Sequence, residues 1–139
     1  MDDEAMFVRT ESLPQDLPQA SSHMKVRVHT PIGSAVVLWR GDPREADGRH
    51  LVEWTVDEDI RWGRNARSAA VAEPELRQDG DRVSLRGRLR PTDDGAARLQ
   101  LGHWSVLLDP ATPVPDDLDG SWVRIDVASE NVALYPYQV

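Results

Sequence analysis

Apolar and polar residues alternate with a period of two along most of this chain. The clearest run is Arg82 to Arg90. There Val83, Leu85 and Leu89 take one parity, and Arg82, Arg86, Arg88 and Arg90 take the other. Successive side chains of a strand point to opposite faces, so the pattern predicts a strand with one face in a core and one in water. Val26 and Val28 alternate with Lys25, Arg27 and His29 in the same way. Ala97, Leu99 and Leu101 alternate with Arg98 and Gln100, and Trp104, Val106 and Leu108 resume the pattern after Gly102. Residues 122–127 and 132–137 predict two closing strands. Ser34–Arg40 is mostly apolar, which suits a strand covered on both faces.

Two stretches are less regular. Val52, Trp54, Val56, Ile60 and Trp62 share one parity, with Glu58 as the only interruption. One long strand with a bulge at Glu58 would explain this. A tight turn at residues 56–59 joining two strands would explain it too. The turn is favoured, because Asp57, Glu58 and Asp59 repel one another along an extended strand. Residues 69–77 read as an edge strand or irregular, since Pro74 opposes a helix interior. Asp-Gly pairs at 47–48, 79–80, 94–95 and 119–120 mark turns.

The chain therefore predicts an all-β fold, a small barrel or sandwich of about eight short, mostly antiparallel strands. The expected interior set is Val26, Val28, Val36, Leu38, Val52, Trp54, Val56, Ile60, Val83, Leu85, Leu89, Leu99, Leu101, Trp104, Val106, Leu108, Val123, Ile125, Val127, Val132 and Leu134. A length of 139 residues allows one domain. Residues 24–139 are expected to form it. Residues 1–23 hold few apolar residues and read as a disordered acidic tail.

Composition narrows the chemistry. The net charge is −8. Half of it falls in residues 1–23, where five acids face one arginine, so the remainder is only mildly acidic. With no cysteine, disulfides, thiolate zinc sites and cysteine nucleophiles are excluded. No apolar run reaches the roughly 18 residues of a membrane span, and the N-terminus is acidic where a signal peptide is basic. A cytoplasmic location and no membrane partner are expected.

The arginine face is the first candidate site. If residues 92–95 turn the chain so that Leu89 faces Ala97, Arg88 lies opposite Arg98 and Arg86 opposite Gln100. Like charges directly opposite destabilise a sheet, so an acidic neighbour, an acidic partner or a phosphate should compensate. The plain alternative is a solvated face balanced by Asp126 or Glu53. Among the five tryptophans, Trp54 and Trp104 fall in phase with the core. Trp62 and Trp122 sit near strand ends, where an exposed ring beside the arginines would stack a base, a sugar or a partner side chain. The expected partner- or anion-binding set is thus Arg86, Arg88, Arg98, Trp62 and Trp122.

Other motifs are weak. Asp57-Glu58-Asp59 lacks the spaced ligands of a calcium loop and reads as a solvated turn. His29, His50 and His103 are isolated, with no metal-binding spacing. No phosphate loop, nucleophile elbow or triad stands out. No catalytic residue, metal or cofactor is expected. The expected function is a non-catalytic interaction module binding another protein through its charged sheet face and loops. The alternatives are a single-stranded nucleic-acid binder, which the net charge disfavours, a small acidic immunity or inhibitor protein, and a small-ligand β-barrel.

Residues 82–137 also resemble half of an OB-fold. The similarity lies in Leu85-Arg86-Gly87-Arg88-Leu89, Leu99-Gln100-Leu101-Gly102 and Gly120-Ser121-Trp122-Val123-Arg124-Ile125, with Val132–Tyr137 suited to a closing strand. The resemblance implies a five-stranded Greek-key barrel that binds oligonucleotides or oligosaccharides on one sheet face. The chain departs from it at 109–120, which is proline-rich where such folds commonly carry a helix.

Overall fold

The computed structural model describes residues 5–13 and 24–137. Eleven strands form: β1 (Ala5–Ser12), β2 (Met24–Thr30), β3 (Gly33–Trp39), β4 (Gly48–Ile60), β5 (Ala66–Ser68), β6 (Glu75–Asp79), β7 (Arg82–Pro91), β8 (Ala97–Leu101), β9 (Trp104–Pro110), β10 (Trp122–Ala128) and β11 (Val132–Pro136). No α-helix is present among the described residues. Pairings β1–β2–β3–β6–β7–β8–β9–β4–β1 close a mixed eight-stranded barrel, and β5, β10 and β11 are added to it. Most ladders are antiparallel. The ladders β3–β6, β3–β11 and β4–β9 are parallel.

The interior is one hydrophobic cluster drawn from both ends of the chain. Every residue of the expected interior set is buried except Val36. The exception follows from register. Val26 pairs with Val37 and Val28 with Ala35, so Ala35, Val37 and Trp39 share the inward side of β3 and Val36 faces out. Trp54 and Trp104 are 1% and 2% exposed and stack with ring centroids 4.5 Å apart. Such a pair adds to simple area burial.

The structure corrects the sequence reading of the fold in four further places. Residues 5–12 are not an unstructured tail: β1 pairs antiparallel with β2 and with β4. Its pattern is masked because Thr10 points inward, donating from Oγ1 to the Ala46 carbonyl at 2.6 Å, while Phe7 points out. Residues 1–4 and 14–23 of that expected tail lie outside the described residues.

Residues 56–59 do not turn. They continue β4, and the register shifts between Thr55 and Asp59. Repulsion among the three acids is relieved because Glu58 takes the inward parity. Its carboxylate accepts from Asn131 Nδ2 at 2.8 Å, the Ala128 N–H at 3.1 Å and Asn65 Nδ2 at 3.0 Å. Arg82 Nη2 lies 3.8 Å away.

The β7–β8 hairpin is longer than expected. Leu89 pairs with Leu99, Arg88 with Gln100 and Arg90 with Arg98. The chain reverses over residues 92–96, where the Thr92 N–H reaches the Ala96 carbonyl.

Finally, the OB-like half does not close on itself. β7, β8 and β9 form a meander and β10 adds to β7, but β11 pairs with β3 and β4 instead of either neighbour in that half.

Candidate functional site

The expected arginine face is built from five strands. On β5, β6, β7, β8 and β10 the inward positions hold Ala66, Leu76, Val83, Leu85, Leu89, Leu99, Val123 and Ile125. The outward positions alternate with these. Outward on β7 stand Arg82, Arg86, Arg88 and Arg90. Arg67 on β5, Arg77 on β6, Arg98 on β8 and Arg124 on β10 join them. Three carboxylates, Glu75, Asp79 and Asp126, share these outward positions. Glu58 and Asp119 reach Arg82 and Arg90 from outside these strands, so eight arginines face five acids and leave a surplus of three positive charges here, in a chain whose net charge is −8.

Two cross-strand rows define the centre of this face. Arg67, Arg124, Arg86 and Glu75 lie at one level on β5, β10, β7 and β6. Trp122, Arg88 and Gln100 lie at the next level, on β10, β7 and β8. The Arg88 guanidinium carbon sits 5.9 Å from the Trp122 ring centroid, within range of a cation–π contact.

These arginines differ in how far they are neutralised. Arg86 is held down against the sheet: Nε donates to the Glu73 carbonyl at 2.7 Å, Nη1 lies 3.5 Å from Glu75, and its side chain is 17% exposed. Arg124 pairs with Asp126 at 3.2 Å and Arg82 with Glu58. Arg90 reaches Asp119 only at 4.0 Å. Arg67, Arg77 and Arg88 are exposed and meet no carboxylate among the described residues.

The expected set is thus brought together only in part. Arg88 and Trp122 touch. Arg86 is their neighbour but fixes the loop before β6. Arg98 stands half-buried opposite Arg90 and Leu107. Trp62 belongs elsewhere: it packs against the core, and only a single parallel bridge to Ala66 links it to β5. Sequence reasoning missed Arg67 and Arg124. Arg124 alternates with Val123 and Ile125, a visible signal, but its level with Arg86 depends on register. Arg67 gave none, because β5 is three residues long.

A second feature is an open groove of about 310 Å³ across the outside of β3, β11 and β4. Leu38, Thr55 and Ala133 form its floor, and Arg40, Asp57, Glu130 and Tyr135 stand around it. Among the described residues, no group of three or more His, Asp or Glu is placed to hold a metal ion. Nor is any helix among the described residues long and apolar enough to cross a membrane. Comparisons with protein-family models, curated proteins and solved structures gave no match to this chain.

Proposed function

We propose that this protein is a non-catalytic interaction module that captures an acidic surface of a partner protein on the outer face of β5, β10, β7 and β8. The observation that carries this reading is the excess of arginines over carboxylates on this face, with Arg67 and Arg88 unmatched by any described carboxylate. Exposed guanidiniums on a rigid sheet present several donors at fixed spacing, which suits carboxylates. Segregated charge also steers an oppositely charged partner and speeds encounter, despite the negative charge of the whole chain. Trp122 supplies a rigid apolar surface beside Arg88, a residue type favoured at interface centres.

The test is affinity capture from a native lysate with wild type and with Arg67→Glu/Arg88→Glu. A specific acidic protein should be retained by wild type, released by moderate salt and lost with the variant. Equal capture by both would sink the reading.

The contact of Arg88 with the Trp122 ring favours one second reading, a single-stranded nucleic-acid platform. Tight, salt-sensitive quenching of tryptophan fluorescence by a mixed-sequence DNA oligonucleotide would replace the first reading with this one.

A further inference from the structure

Five large hydrophobic side chains are exposed among the described residues: Phe7, Val71, Leu107, Tyr135 and Tyr137. All but Val71 fall together on a second surface, the outside of β1, β4, β11 and the adjoining part of β9. Register places them side by side. Phe7 lies opposite Leu51 on β4, and the Tyr137 N–H donates to the Leu51 carbonyl from the other edge. Tyr135 lies opposite Glu53, and Leu107 opposite Thr55. Exposed apolar side chains gathered on one face in this way mark an association surface.

The charge on that surface is arranged along β4. Its outward positions read Arg49, Leu51, Glu53, Thr55 and Asp57, and Arg49 pairs with Arg9 of β1. One end is basic and the other acidic, with Leu51 midway between Arg49 and Glu53. The Arg49 guanidinium carbon sits 4.5 Å from the Phe7 ring centroid, and Tyr137 Oη donates to Glu53 Oε2 at 3.1 Å. Both charged groups are therefore held over the apolar row.

This arrangement complements itself. A two-fold axis lying along the Phe7–Leu51–Tyr137 row sets a second copy face to face with the first. It stacks the apolar row on its own image and places Arg49 of each copy over Glu53 of the other. Isologous interfaces require that self-complementarity. We propose that the β1/β4/β11 face binds a second copy of this chain, forming a two-fold dimer closed by reciprocal Arg49–Glu53 pairs.

Analytical ultracentrifugation with charge reversal tests it. Wild type should sediment as a concentration-dependent dimer. Arg49→Glu and Glu53→Arg should each raise the dissociation constant at least tenfold, because each sets like charges against one another twice. An equimolar mixture of the two variants should dimerise again, since every facing pair is then opposite in sign. Tyr135→Asp should give a monomer with an unchanged circular-dichroism spectrum, which separates loss of association from loss of fold. A wild-type monomer at every accessible concentration would overturn the proposal, whether another protein or another segment of this chain covers the face. So would a dimer indifferent to both reversals, or a mixture that stays monomeric.

Discussion

The face formed by β5, β10 and β7 and the face formed by β1, β4 and β11 rest on the same interior but carry opposite chemistry. On the first, Val83, Leu85, Val123 and Ile125 point in and arginines point out. On the second, Val8, Val52, Trp54 and Leu134 point in, while Phe7, Leu51 and Tyr135 point out. Strand alternation sorts each residue to a side, and burial drives the apolar set inward. What stands outside is free of that constraint. Aromatics left outside on one face and unmatched arginines on the other are therefore the informative departures.

The largest expected effect probes whether the two faces share one support. Trp54 lies beneath the aromatic face and stacks on Trp104. Trp54→Ala should cost about 3–5 kcal/mol in urea unfolding. Because the core is a single cluster, hydrogen exchange should accelerate in β7 as well as in β4. Wild-type protection of the β7 amides in this variant would mean that the faces belong to separable units, and the comparison would fail.

Glu58 tests the link between the halves. It ties β4 to the loop before β5, to the end of β10 and to Arg82 on β7. Burial raises its pKa, but the hydrogen bonds from Asn131, Ala128 and Asn65 and the charge of Arg82 together hold it below the ordinary glutamate value of 4.5. The unfolded chain therefore takes up this proton first as pH falls. The stabilisation is complete above pH 4.5 and is lost as pH drops through the lower folded value. Glu58→Gln should cost about 1.5–3 kcal/mol at pH 7, the range for hydrogen bonds to a charged group. The gap from wild type should close on acidification. A gap constant from pH 7 to pH 3 would assign the effect to shape and not to charge.

Gly87 separates the faces. A Cβ at this position would meet the Gln100 carbonyl oxygen at 2.4 Å, so β7 and β8 could not keep their present approach. Gly87→Ala should cost about 1–3 kcal/mol, as overpacking does. It should disturb amide shifts at Arg88 and Gln100 while leaving those of Phe7 and Leu51 near wild type. Equal disturbance on both faces would show that the barrel transmits strain across its whole circumference.

How much of this was legible in the sequence follows from the same distinction. The interior was readable because alternation is local: Val83, Leu85 and Leu89 declare their side within nine residues. β1 was hidden because an inward Thr10 and an outward Phe7 invert the usual code, and the Ala46 and Gly48 carbonyls make Thr10 acceptable there. Glu58 misled for a similar reason. Its partners Ala128 and Asn131 lie some 70 residues along the chain, so three adjacent acids looked like a turn. Of the candidate site, the arginines of β7 were visible as a strip. Their neighbours Arg67 and Arg124 depend on pairings between distant strands. The aromatic face went unseen, since its members come from residues 7, 51, 107, 135 and 137.

The smallest expected effect on stability is also the sharpest statement about the arginine face. Arg88 is exposed, meets no described carboxylate and lies over the Trp122 ring. Arg86 sits one turn of the pleat away, yet it is bound to the Glu73 carbonyl and faces Glu75. Arg88→Ala should change folding stability by no more than about 0.5 kcal/mol, as for surface sites without special contacts. Arg86→Ala should cost more, because it frees the loop before β6. Partner capture should reverse the order, with Arg88→Ala the weaker binder. Two arginines on one strand and one face would then hold different jobs, set by whether a carboxylate from a neighbouring strand already meets the guanidinium. Equal losses of capture from both variants, at matched stability, would show that the face acts through its summed field and not through its unmatched groups.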